Sequence, residues 1–137
     1  MNKEYVSYAE SLNSIGDMII KVSNLIPQLE DGKVHSKSEL ATYKEELTVA
    51  SERYEFIVRE LERISVPKIV TKEHGQLIDG VSSFVKGAKL MKKSLNIEDQ
   101  SVNLLSYNQG DIIIEHGVRE TEIASRSIGN KLIATSE

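Results

Sequence analysis

Hydrophobic residues recur along this chain in alternating steps of three and four, with polar residues filling the gaps. Tyr5, Tyr8, Leu12, Ile15, Ile19, Val22, Ile26 and Leu29 form a first series; Leu40, Tyr43, Leu47, Ala50, Tyr54, Ile57, Leu61 and Ile64 form a second. An α-helix turns once every ~3.6 residues, so side chains spaced this way share one stripe. Each series therefore predicts one amphipathic helix. The two are mirror images about the polar stretch Glu30-Asp31-Gly32-Lys33-Val34-His35, which sets Tyr5 opposite Ile64, Ile15 opposite Tyr54, Val22 opposite Leu47 and Leu29 opposite Leu40. Antiparallel helices folded about one turn require such symmetry. Pro27 is expected to bend the last turn of helix one by removing an amide donor. Ser36 and Glu39 carry the spacing of a capping box at the start of helix two.

Pro67 marks the next break, and helix three is predicted at or just after it. Its stripe is Val70, His74, Leu77, Val81, Phe84, Ala88, Met91 and Leu95. Asn96-Ile97-Glu98-Asp99 supplies a turn and an N-cap candidate. Helix four is expected from about Ser101, with a broader pattern. Val102, Leu105, Ile112, Ile113, Ile123 and Ala124 fall on one arc; Tyr107, Ile114, Val118, Ile128 and Leu132 fall on an adjoining one. Asp111, Glu115, Arg119, Glu122 and Arg126 are left for solvent. So wide an apolar arc predicts contact with more than one neighbour. The expected fold is a single domain over 1–137: an all-α, antiparallel up-down-up-down four-helix bundle made of two long helical hairpins.

Four glycines sharpen the second hairpin. Gly80 and Gly87 lie seven apart on helix three, Gly110 and Gly117 seven apart on helix four, and the pairs mirror each other about the Glu98-Asp99 turn. A glycine inside a helix costs ~0.8–1.0 kcal/mol relative to alanine. Close approach of the two helices along a seam is the expected compensation, because a missing Cβ lets backbones come nearer.

The 137 residues are 39% hydrophobic and 28% charged, with two prolines, which suits a globular helical protein. A formal net charge of -4 disfavours nucleic acid as a partner. Cysteine is absent, which excludes disulfides, thiolate metal sites and cysteine nucleophiles. No apolar run is long enough for a transmembrane segment, and the first residues lack the pattern of a signal peptide.

Candidate chemistry is sparse. A di-iron carboxylate bundle needs Glu-x-x-His on two helices, whereas Glu73-His74 and Glu115-His116 are adjacent pairs whose side chains diverge. No metal, cofactor or catalytic group is expected. His74, the polar member of the helix-three stripe, reads as a pH-sensitive group or, as favoured, a buried hydrogen-bonded histidine. Gln109, His116 and Glu120 form a polar streak within the helix-four arc; they read as a small-ligand pocket or, as favoured, a polar layer at the hairpin seam or bundle edge. Helix three carries six lysines against two carboxylates. Lys86, Lys89, Lys92 and Lys93 thus make a candidate basic surface for an acidic partner, against the plainer reading of charge complementation and a favourable helix C-terminus.

Pro67, His74, Leu77, Phe84 and Ala88 together resemble a run in small helical domains of uncharacterised lipoproteins from Gram-positive bacteria, notably bacilli. In those domains two helices precede a proline-histidine helix and a final helix, an order similar to this chain's. The resemblance implies a non-enzymatic interaction domain at the extracytoplasmic face of the cell membrane. Its tether would lie in residues absent from this chain, which lacks the family's signal peptide and lipid-bearing cysteine. The alternative, with Met1 as the native start, is a cytoplasmic bundle of phage or mobile-element type that modulates a host protein. A small-ligand carrier using the helix-four streak is the third reading.

Overall fold

A computed structural model describes residues 2–30 and 32–136. It is all-α, with four antiparallel helices: α1 (Lys3–Ser23), α2 (Lys37–Arg63), α3 (Thr71–Lys93) and α4 (Leu104–Ser136). Asn2 starts α1, its Oδ1 accepting the Glu4 amide at 2.7 Å. The stripe of helix one continues to Leu29, but the helix ends at Ser23. Pro27 explains the early end, because its ring lacks a donor and drives Ile26 out of helical geometry.

The connector over 24–36 is consequently longer than the turn expected. Asp31 of that turn lies outside the described residues; Gly32 adopts the left-handed φ of 75° that its missing Cβ permits. The connector is anchored, not loose. Ile26 and Leu29 pack with Leu47, Met91 and Tyr107, and the Tyr107 hydroxyl donates to the Pro27 carbonyl at 2.5 Å. At Ser36 the predicted capping box forms: Ser36 Oγ accepts the Glu39 amide at 3.1 Å, and Glu39 Oε1 accepts the Ser36 amide at 3.3 Å.

The longer connector also shifts the register of the first hairpin. Ile15 and Val22 both join the cluster of Tyr54 and Ile57, whereas Leu47 belongs to a separate cluster with Met91 and Tyr107. Ser23 Oγ and the Tyr54 hydroxyl lie 2.8 Å apart. Val22 therefore sits level with Arg53, Phe56 and Ile57, beyond the middle of α2, and not with Leu47, because α1 stops short of the turn that the mirror symmetry assumed.

Between α2 and α3, Ile64 turns extended ahead of Pro67, and a 3-10 turn at Lys68–Val70 leads into α3. Between α3 and α4 the structure departs from the expected simple turn. Leu95–Asn96 (β1) and Ser101–Val102 (β2) pair antiparallel. Asn96 clasps this hairpin by accepting the Asp99 amide at 3.1 Å and donating to Asp99 Oδ2 at 3.0 Å. Helix four thus begins later than Ser101. Asn103, outside the anticipated turn, caps it by accepting the Ser106 amide at 3.1 Å.

Helix α3 is the central element, packed on α2 along one side and on α4 along another. Its Val81, Phe84 and Ala88 join Ile15, Val22, Tyr54, Ile57 and Leu61 in the main core. The Tyr54 and Phe84 rings meet at 5.1 Å. Full burial of a side chain such as Phe84 contributes ~1.5–3 kcal/mol. The arc of helix four is not wholly covered, contrary to expectation. Leu105, Ile112 and Ile123 are 71%, 60% and 65% exposed, because α4 packs chiefly on α3 and one neighbour cannot cover so wide an arc.

Candidate functional site

A groove of about 520 Å³ opens between α1 and α4. Leu12, Ile15, Ile19 and Ile20 of α1 form one wall, and Val118, Thr121, Ser125 and Arg126 of α4 form the other. Leu61 of α2 with Leu77, Val81 and Phe84 of α3 provide the floor. α1 and α4 come together beyond one end of the groove, and the connector is held to α4 further along. At one end Tyr8 of α1 clusters with Ala124, Ile128 and Leu132 of α4; at the other, Tyr107 grips the connector at Pro27. Gly16 lies in the α1 wall, and a Cβ there would meet nothing within 4 Å.

The glycine seam sets the position of the α4 wall. A Cβ on Gly87 would lie 2.6 Å from the Gly110 carbonyl oxygen, and one on Gly110 would lie 2.7 Å from the Gly87 oxygen. One on Gly117 would lie 2.6 Å from the Gly80 oxygen; one on Gly80 would meet Thr121 Cγ2 at 2.6 Å and the Gly117 oxygen at 3.1 Å. The four glycines thus meet as two cross-helix pairs, Gly80 with Gly117 and Gly87 with Gly110. Real Cβ atoms do not approach backbone so closely, so α4 rides on α3 with backbone against backbone.

A polar clasp holds the Tyr8 end. Leu61 offers His74 a carbonyl, so the ring donates from Nε2 at 2.7 Å; its Nδ1 then accepts from the Tyr8 hydroxyl, also at 2.7 Å. One histidine on α3 thereby ties α1 to α2, the favoured of its two sequence readings. Burial, aided by the Glu73 charge, pushes the Tyr8 hydroxyl far above its ordinary pKa, so it remains a donor. Beside it, Lys131 of α4 donates to Glu73 Oε2 at 2.6 Å. That hydrogen bond is the main reason the Glu73 carboxyl is held below its ordinary value.

The polar streak of helix four lies away from this groove. Gln109 and His116 are exposed and Glu120 is half-buried, with His116 paired to Glu120 along the helix. None of the three lines the groove. Among the candidate basic residues, Lys89 pairs with Glu55 of α2 at 2.7 Å, which is charge complementation between neighbours. Lys86 and Lys93 are exposed, and Lys92 is half-buried.

Among the described residues no three His, Asp or Glu side chains converge in a metal-binding arrangement. No helix there is long and apolar enough to cross a membrane. The periodicity did not reveal the groove, and it assigned the wall residues Glu122 and Arg126 simply to solvent. One signal was available in Ile20, which stands outside the helix-one stripe and is 62% exposed. No protein-family model, curated protein or solved structure matches the chain.

Proposed function

We propose that this chain is a non-catalytic binding module whose α1–α4 groove receives an amphipathic helix from a protein partner. The carrying observation is the groove's form: apolar along its floor and its α1 wall, and edged on α4 by Glu122 and Arg126. Such a trough suits a helix that presents apolar side chains at three- and four-residue spacing, with charges of opposite sign to meet the edge. Glu122 and Arg126 are the titratable side chains of its lining, which gives it no acid–base pair or activated nucleophile. The resemblance of the Pro67-to-Ala88 run to bacillar lipoprotein domains supports a setting at the extracytoplasmic membrane face. A signal peptide and lipid-bearing cysteine encoded upstream of Met1 is the expected finding; an in-frame stop codon directly upstream would remove that setting.

The groove itself is tested with Gly16→Leu, which places a side chain in open space without disturbing the core. Helical peptides selected by display against the native chain should shift the NMR signals of Ile15, Ile19 and Val118. They should lose affinity at least tenfold for Gly16→Leu, while that variant melts no lower than the parent. Peptides that bind both chains equally, or whose shifts map elsewhere, would overturn the reading.

A further inference from the structure

Helix α1 is held to the rest of the molecule along a narrow line. Tyr8, Ile15 and Val22 are its buried residues, and Leu12 and Ile19 between them are only half-buried. Backbones approach closely between α2 and α3, and above all between α3 and α4, but sparsely at α1. Open space flanks this helix on both sides. The groove separates it from α4. Towards α2, a cleft of about 270 Å³ opens between Met18 and Phe56, and one of about 360 Å³ opens between Ser11 and Arg63. Side-chain ties are few. The Tyr8 hydroxyl bonds to His74 of α3, and Ser23 Oγ meets the Tyr54 hydroxyl of α2. Among the described residues no ion pair joins α1 to another helix.

We infer that α1 is a hinged latch, which lifts away as a unit while α2, α3 and α4 stay together, and which uncovers Leu61, Leu77, Val81 and Phe84 when it lifts. The hinge is the turn at Asn24 and Leu25. Helix α1 ends at Ser23, and from Ile26 onward the connector is fixed. Ile26 and Leu29 pack on Leu47 and Met91, and the Pro27 carbonyl accepts from Tyr107.

The three remaining helices keep ties of their own. The glycine seam joins α3 to α4, Lys131 of α4 bonds to Glu73 of α3, and Lys89 of α3 pairs with Glu55 of α2. The Tyr54 and Phe84 rings meet between α2 and α3 without any part of α1. Segments with few buried apolar contacts open at a lower free energy than the whole fold. Helical stability in proteins comes mostly from packing, and Gly16 in the middle of α1 adds nothing to it. Once lifted, α1 therefore loses its helix, which disfavours a return by rigid docking and lengthens the open state. The rival behaviour is a bundle that opens only as a whole, as small domains commonly do. The unequal packing of α1 and α3 argues against it. This latch goes beyond the groove as a binding site, and stands whether or not a partner helix enters there.

Native-state hydrogen exchange of the free chain, at rising urea concentrations below the unfolding transition, tests the opening. The slowest amides of α1 should exchange roughly tenfold or more faster than the slowest amides of α3. Their exchange should also depend less steeply on urea, because a local opening exposes less surface. If both helices share one exchange free energy and one urea slope, the bundle opens as a whole and the latch is overturned. The chain has no cysteine, so introduced thiols give a second readout. Val81 lies under α1, whereas Met91 is buried with Leu47 and Tyr107 beyond the hinge. In Val81→Cys, the thiol should react with a soluble disulfide reagent through an opening far more frequent than that variant's own unfolding. In Met91→Cys it should react only as the variant unfolds. A position-81 thiol that waits for global unfolding would overturn the latch, as would a position-91 thiol that reacts equally early.

Discussion

Helix α4 meets its two neighbours in opposite ways. Against α3 it lies backbone to backbone, with Gly80 facing Gly117 and Gly87 facing Gly110, and no room for even a methyl group at three of the four positions. Towards α1 it leaves a groove, and Gly16 on that side borders open space. The same residue type thus does two unlike jobs. In the seam, glycine is required by its neighbours, and the helix-propensity cost is offset by contact. In the groove, glycine is required by nothing in the fold, so its cost stands uncompensated within this chain.

The largest effect is expected at the tightest point of the seam. Gly87→Leu should destabilise the protein by more than the ~1–3 kcal/mol typical of an overpacked core, because the Gly110 carbonyl is backbone and cannot rotate away. Gly87→Ala and Gly110→Ala should also lower the denaturation midpoint. Gly80→Ala should be mildest, since the atom nearest its Cβ is the Thr121 methyl, which can move. Denaturation of the four alanine variants checks the order, and a Gly87→Ala variant as stable as the parent would break the contrast.

Next comes the clasp that closes one end of the groove. Tyr8→Phe keeps the ring but removes the donor to His74 Nδ1, leaving a buried acceptor unsatisfied at a cost of ~1–3 kcal/mol. Unfolding in urea measures it, and an unchanged midpoint would show that the clasp contributes nothing to closing that end. Opposite in sign is Gly16→Ala. Its Cβ meets nothing, so the helix-propensity gain of ~0.8–1.0 kcal/mol should appear as a higher melting temperature. A fall there would mean that α1 and α4 lie closer than the groove implies.

How much of this was legible beforehand divides along the same line. Periodicity located all four helices, and the paired glycine spacing pointed to the seam, because both are local properties of one or two helices. Pro27 was noticed, but its consequence was underestimated. One lost amide and one restricted neighbour ended α1 at Ser23, and that moved the register of the whole hairpin. The β1–β2 turn escaped because two residues per strand leave no alternation to read. The groove escaped for a deeper reason. It is a space between α1 and α4, helices far apart in sequence, and its breadth depends on how far the seam holds α4 to one side. The apolar arc of α4 was expected to meet more than one neighbour, yet Leu105, Ile112 and Ile123 stand exposed, since periodicity counts apolar positions and not the helices that cover them.

The smallest effect, and the one that separates the two sides of α4 by pH, concerns Glu73 and Lys131. This pair links α3 to α4 on the seam side, and the Lys131 ammonium, chiefly through its hydrogen bond, lowers the Glu73 pKa in the folded state. A carboxylate whose folded pKa is depressed contributes stability above its unfolded pKa, near about 4.3 for glutamate. That contribution is lost as pH falls through the folded value. Lys131→Met removes the cation and leaves the buried Glu73 carboxylate without its hydrogen-bonding ammonium, so the variant should melt below the parent at neutral pH. As pH falls below the ordinary carboxylate range, Glu73 becomes protonated in both proteins, and the two melting temperatures should converge. Gly16→Ala touches no titrating group, so its advantage over the parent should stay constant across the same range. Melting curves of the three proteins from neutral pH down to acid test both halves. If the Lys131→Met curve runs parallel to the parent's throughout, the ion pair does not hold the seam, and the glycines hold α4 alone.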